Sequence, residues 1–197
     1  DEFEMFIEKA YRVGVEQSMP FFAHVQVPIH RGYVLFERHK YREAVDASRG
    51  GAETWFSLGG GISMPHALAY WAAAHARLGE VDQGLEIVER GIEQACRRGW
   101  LERAHLAELL RVKGTLLELK GDASGAEASY GASLDWARSQ QAKSLELRAA
   151  TSYARLMQSQ DRGKEALKIL KPLYGWFTEG LDTRDLKEAK ALIDELR

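Results

Sequence analysis

The sequence predicts an all-α protein, a solenoid of helical hairpins stacked as a right-handed superhelix with a period of about 40 residues. Three observations carry this. Apolar residues recur at three- and four-residue steps: Val81, Leu85, Val88, Ile92 and Cys96 form one stripe, and Leu106, Leu109, Leu110, Leu116 and Leu117 belong to another. Proline is too rare for an all-β chain dense in turns, at 4 of 197 residues. The only apolar/polar alternation is the short run Phe22–Val27. Finally, small residues return at fixed intervals. Ala44, Gly84, Ala126 and Ala166 lie 40, 42 and 40 apart, and twelve residues before each stands Gly32, Ala72, Gly114 or Ala154.

The double register has a physical reading. Two antiparallel helices joined by a short turn approach closely only where the facing side chains are small. A small residue on each helix, twelve apart across the turn, marks the crossing point. The pattern is that of a tetratricopeptide-type hairpin, whose own period is about 34. The consensus aromatic and proline positions are poorly met, so the repeats are degenerate.

The elements follow in order, as one domain over 1–197. Residues 1–17 hold the second helix of a truncated repeat, helical over 2–16. Hairpins span 18–58, 63–99, 103–140 and 144–178. Their helix pairs are 19–39 with 41–57, 64–78 with 81–98, 103–120 with 123–140, and 145–159 with 162–178. Ser18-Met19-Pro20 and Ser63-Met64-Pro65 each read as a serine cap with proline in the first turn. Pro28 is expected to kink or delay its helix. Gly59-Gly60-Gly61, Leu78-Gly79-Glu80, Arg98-Gly99-Trp100, Lys120-Gly121-Asp122 and Gln160-Asp161-Arg162-Gly163 are turns. A capping helix fills 183–197, running over 184–196 from a cap at Asp182 or Thr183, with a charged outer face.

Charge excludes several functions. Lys+Arg 27 against Asp+Glu 29 gives a formal net charge of −2, with no basic excess for nucleic acid or an anionic membrane surface. Thr54–Ala76 is the longest stretch free of Asp, Glu, Lys and Arg, but Gly59–Gly61, Ser63, Pro65 and His66 break it, so it reads as a helix end, a turn and a new helix. The single cysteine, Cys96, excludes a disulfide framework and reads as a half-buried helical residue. The acidic opening Asp1-Glu2-Phe3-Glu4 does not read as a signal peptide, a cytoplasmic location is expected, and the missing initiator Met reads as a fragment or a processed chain.

Two segments carry a resemblance. One runs Gly121-Asp122-Ala123-Ser124-Gly125-Ala126-Glu127-Ala128 and on to Ser144-Leu145-Glu146-Leu147-Arg148-Ala149-Ala150-Thr151-Ser152. The other runs Tyr174-Gly175-Trp176-Phe177-Thr178-Glu179-Gly180-Leu181-Asp182-Thr183, then Asp185-Leu186-Lys187-Glu188-Ala189-Lys190-Ala191-Leu192. Both resemble the C-terminal tetratricopeptide-like region of large bacterial signalling proteins, which carry an adenylate cyclase or DNA-binding activator domain followed by an AAA-type ATPase. The likeness is strongest from about residue 59 onward. It implies a place in signal transduction or transcription regulation and transfers no catalytic residue.

Catalytic signatures are missing. Gly59-Gly60-Gly61 is not followed by Gly-Lys-Ser/Thr, no His-Glu-x-x-His occurs, and the six histidines share no ligand spacing on one helix, so no cofactor or metal is expected. The five tryptophans read as inter-helix packing. A solenoid offers a groove instead, lined by the first helix of each hairpin. With Gly32, Ala72, Gly114 and Ala154 aligned, the groove positions include Gln26, Ile29, Tyr33 and Phe36, His66, Ala69, Ala73 and Arg77, Glu108, Arg111, Thr115 and Glu118, and Arg148, Thr151, Arg155 and Ser159. Tyr33 and Phe36 are the apolar anchors, and Arg77, Arg111, Arg148 and Arg155 the groups for carboxylates or phosphates. The competing reading pairs these arginines with Glu108, Glu118 and Glu146 on a solvated face. The expected function is a non-catalytic, regulatory protein- or peptide-binding module, or one that binds other domains of its own polypeptide, with a homodimer possible through the N-terminal helix. The alternative is a sensor holding a small-molecule effector in the superhelix.

Overall fold

The computed structural model describes residues 2–57, 64–97 and 103–197, apart from the side chains of Phe56 and Met64. Among the described residues every regular element is helical. They form two compact units, Asp1–Arg103 and Ala104–Arg197. The expected turns at Gly59–Gly61 and Gly99–Trp100, and the Ser63 cap, lie outside the described residues.

The first unit holds α1 (Glu2–Glu16), a π-helical turn (Phe22–Gln26), α2 (Val27–Glu37), α3 (Tyr41–Ser57), α4 (Met64–Arg77) and α5 (Val81–Cys96). α2 packs on α3 and α4 on α5, while α4 also touches α2 and α3. The second unit holds α6 (Leu106–Lys120), α7 (Ala123–Ser139), α8 (Lys143–Ser159), α9 (Gly163–Tyr174) and α10 (Arg184–Glu195). α6 pairs with α7 and α8 with α9, and α8 also packs on α6, α7 and α10.

The turns explain why each helix stops. At Ser18, His39, Gly79, Gly121, Gln141 and Asp161 the chain enters the left-handed region, with φ between 54° and 87°. The next residue's N–H then reaches back five residues: Lys40 to the Leu35 carbonyl at 3.0 Å, Glu80 to His75 at 3.0 Å, Asp122 to Leu117 at 2.9 Å and Arg162 to Met157 at 2.8 Å. This reversal, a Schellman closure, satisfies carbonyls that a helix end would otherwise leave orphaned. The turns inside the hairpins, at His39, Gly79, Gly121 and Asp161, repeat the 40, 42, 40 spacing of the small residues. Asp122 adds a side-chain cap, accepting the Gly125 N–H at 2.8 Å.

All eight register residues are buried. A Cβ added at Gly32 would stand 1.9 Å from Ser48 Oγ and 3.0 Å from the Ala44 carbonyl on the facing helix. One at Gly114 would meet the Tyr130 ring at 2.5 Å. These glycines are crossing points, as the spacing implies.

Several expectations need refining. The Phe22–Val27 run, placed within the helix expected over 19–39, is helical but not regular. Pro28 lacks an N–H, and its ring would collide with the carbonyl four residues back in a regular helix. The chain widens to a π turn just before it, and Val27 N–H bonds to the Phe22 carbonyl five residues earlier. Pro28 thus sits in the first turn of α2. Ser18 closes α1 rather than capping the next helix. The helix expected over 162–178 ends at Tyr174, two residues after Pro172 removes a donor. The helix expected from 103 begins at Leu106. Thr183 is the N-cap of α10, though its side chain makes no cap bond. Cys96 is exposed. Trp55 and Trp71 are buried as packing residues, whereas Trp176 is 59% exposed.

Candidate functional site

In the first unit, α2 and α4 face each other through aromatic rings. The Tyr33 and Tyr70 centroids lie 4.5 Å apart, His66 and Tyr70 4.7 Å, and Phe36 and Tyr70 5.5 Å, all edge-on. Phe36 also meets Tyr41 of α3 at 5.6 Å. The Tyr41 hydroxyl and His39 Nδ1 share a hydrogen bond of 2.7 Å, and the Arg77 guanidinium sits 6.0 Å from the Tyr41 ring centre. Tyr33, Phe36 and Arg77 are therefore gathered by one aromatic cluster, in which the first two pack and the third stays exposed.

Beside this cluster lies a cavity of about 90 Å³ between α2, α3 and α4. Its wall includes Tyr33, Ser48, Trp55, His66, Tyr70 and Trp71, and among the described residues that line it none is an acid, a lysine or an arginine. His30 at the rim is exposed and Tyr33, His66 and Tyr70 are half-buried, so the space meets solvent on that side. The Trp71 indole Nε1 is buried with no hydrogen-bond partner among the described residues. Trp55, Ser48, Tyr70 and Trp71 were not groove candidates. The signal for Trp55, Tyr70 and Trp71 was the charge-free stretch Thr54–Ala76, which supplies much of this wall; Ser48 lies outside it.

The second unit uses the same inner helices differently. Glu108 on α6 is buried, and both its oxygens are held by Arg111 in a bidentate pair, Nε to Oε2 at 3.0 Å and Nη2 to Oε1 at 2.7 Å. Arg148 of α8 shares Oε1 at 2.9 Å and reaches Asp185 of α10 at 3.8 Å. Arg111 also donates to the Ser152 hydroxyl at 3.3 Å. Burial works against the Arg111 charge, but Glu108 overcomes it and lifts the guanidinium pKa above its ordinary value. Arg155 pairs with Glu188 at 3.2 Å, which also accepts from Arg184 at 2.9 Å.

The arginines thus divide. Arg111 and Arg148 are spent on one buried carboxylate, not on a solvated face. Glu118 accepts from the Tyr130 hydroxyl at 2.9 Å instead, and Glu146 takes Arg138 and Lys143. Arg155 and Arg77 remain exposed. Of the remaining groove positions, Ile29, Ala69, Glu108 and Thr151 are buried. No cluster of three potential metal ligands occurs among the described residues, and none of their helices is long and apolar enough to cross a membrane.

No known family model matches this chain, and no curated protein matches it significantly.

Proposed function

We propose that the chain is a non-catalytic interaction module, a degenerate tetratricopeptide-like array of the right-handed superhelical class. The observation that carries this is the coincidence of two independent registers. The turns at His39, Gly79, Gly121 and Asp161 and the buried small pairs share one spacing. Repeats of this kind stack to bury one face and leave the first helices for recognition. The proposed setting is the C-terminal region of a bacterial cyclase- or ATPase-type regulator in the cytoplasm, where it would bind a protein, a peptide or another domain of the same polypeptide, and neither nucleic acid nor membrane.

Small-angle X-ray scattering tests the superhelix: an elongated, curved profile is expected, and a compact sphere refutes it. Affinity capture from host lysate tests the recognition. A specific partner should be retained by the unaltered chain and lost on combining Arg77→Glu with Arg155→Glu, two exposed changes that cost little stability. Equal capture by that variant refutes the arginine surface, and turnover co-purifying with the chain refutes the non-catalytic reading.

The homodimer also belongs to this proposal. Phe3 is 61% and Phe6 55% exposed on α1, whose only buried residue is Gly14. An apolar helix face of this kind favours self-association. Light scattering should show mass rising with concentration and falling after Phe3→Glu with Phe6→Glu. A monomer throughout refutes it.

A second reading, an effector sensor, is favoured by the uncharged cavity between α2, α3 and α4.

A further inference from the structure

We propose that the cavity between α2, α3 and α4 binds a small neutral molecule with a single aromatic ring, of the phenol class. This rests on the effector reading and names its site and ligand chemistry.

The wall decides the charge. Among the described residues it offers no carboxylate to a cation and no guanidinium or ammonium to an anion, and its imidazoles, His30 and His66, are ordinarily neutral at pH 7. Taking a charged group out of water without a partner is strongly unfavourable, so the occupant is neutral.

The rings decide the shape. Tyr33, Trp55, His66, Tyr70 and Trp71 converge on one space. Tyr33, His66 and Tyr70 already pack edge-to-face, with Tyr33–Tyr70 at 65° and His66–Tyr70 at 85° between planes. A flat ring entering beside them extends the same electrostatically favoured packing.

The volume decides the size. About 90 Å³ is somewhat less than the roughly 150 Å³ of an apolar core cavity that holds benzene. That suits one ring seated partly in the half-buried mouth, and it is too small for a peptide or an oligosaccharide. Ser48, 7% exposed, adds a hydroxyl to a wall whose other polar side chains include Tyr33, Tyr70, His30, His66 and Trp71. Ala67 and Ala74 leave room that a single larger side chain would fill. The partnerless Trp71 Nε1 marks the same wall as incompletely satisfied.

The test is a titration of the full chain with phenol, followed by saturation-transfer NMR and by intermolecular contacts to the Tyr33 and Tyr70 ring protons. Phenol should bind, with affinity falling about tenfold in Tyr70→Leu, the loss of one aromatic partner. Binding should vanish in Ala67→Leu, with helix content unchanged by circular dichroism. If Ala67→Leu does not fold, the ring-proton contacts and Tyr70→Leu decide. Cyclohexanol should bind about tenfold more weakly than phenol, and tetramethylammonium not at all. Absent phenol binding, equal binding of cyclohexanol, or preferred binding of tetramethylammonium overturns the proposal. Stabilisation by a non-aromatic metabolite that is abolished by Ala67→Leu would keep the effector reading while overturning this ligand class. Small-molecule binding untouched by Ala67→Leu would overturn the site.

Discussion

Replacing Glu108 by Gln removes one charge and strands two. The Glu108 side chain is 4% exposed, Arg111 17% and Arg148 25%. Three short contacts converge on its oxygens, at 2.7, 2.9 and 3.0 Å. Glutamine keeps one acceptor oxygen but no charge. Breaking a buried pair from one side costs about 3–5 kcal/mol, because the remaining ion is left uncompensated. Arg148 is partly solvated and has Asp185 nearby, which softens its share, so a loss of about 3 kcal/mol is expected. With a urea m value of about 1.5 kcal/mol/M, that lowers the midpoint of the second unit's unfolding by about 2 M. The companion variant replaces Glu108, Arg111 and Arg148 together by Met. Removing all three charges should restore most of the loss, since well-packed apolar substitutes for a buried ion network are often neutral or better. The assay is urea unfolding followed by circular dichroism. A midpoint shift below about 0.5 M for Glu108→Gln would mean the network is no more than a solvated surface pair. A triple variant less stable than the single would refute the claim that stranded charge is the main cost.

The remaining predictions are shorter. Ala126→Leu and Ala166→Leu, both at fully buried crossings, should each cost on the order of 1–3 kcal/mol by overpacking, and unchanged thermal midpoints in both would reject the register. Asp161→Gly should stabilise by about 0.5 kcal/mol, because Asp161 holds φ 59° where glycine is unstrained; a destabilised variant in calorimetry would contradict that account of the turn. His75 is buried against Glu80, its Nδ1 2.7 Å from Oε2, and burial lowers its pKa although Glu80 opposes the shift. The unfolded chain therefore binds the proton first, so this contribution is complete above about pH 6.5 and lost as pH falls toward the folded value. His75→Gln should flatten the stability profile in that window, and an unchanged profile would exclude His75 as its source.

Much of the fold was legible because it depends on spacing. Small residues at 32 and 44 bring two helices together wherever hairpins exist, and glycines at 79 and 121 sit where the chain must turn left-handed. The turn at Asp161 lay within the expected Gln160-Asp161-Arg162-Gly163, whereas the one at His39 was marked only by the break between the helices expected over 19–39 and 41–57, since histidine does not announce a positive φ. The π turn before Pro28 was not legible from periodicity: proline announces a kink or delay of the helix, but not that the preceding turn widens to absorb it. The pairing of the arginines was hidden for another reason. Residue type showed that Arg111 and Arg148 could bind a carboxylate, but not that the carboxylate was Glu108 of the same unit, buried with them. The cavity wall was written in the charge-free stretch Thr54–Ala76, which also fits a simple helix–turn–helix, so only three-dimensional packing separates the two meanings.

The two units share a backbone rule and differ in what surrounds it, and this limits where recognition takes place. His66 and Glu108 occupy the same place, six residues before the crossing residues Ala72 and Gly114. His66 lies among aromatic rings beside an uncharged cavity. Glu108 lies between two arginines. A neutral ring reaching the first site gains contacts without breaking any ion pair. An acidic partner reaching the second must compete with a carboxylate already held by three short contacts, and its gain is offset by leaving Glu108 buried and uncompensated. If the module binds acidic groups as proposed, that role would fall to Arg77 and Arg155, whose exposed heads exchange only a ring contact or a surface pair. Substituting Arg111 or Arg148 should disturb the second unit's stability before it disturbs any partner, while substituting Arg77 or Arg155 should do the reverse.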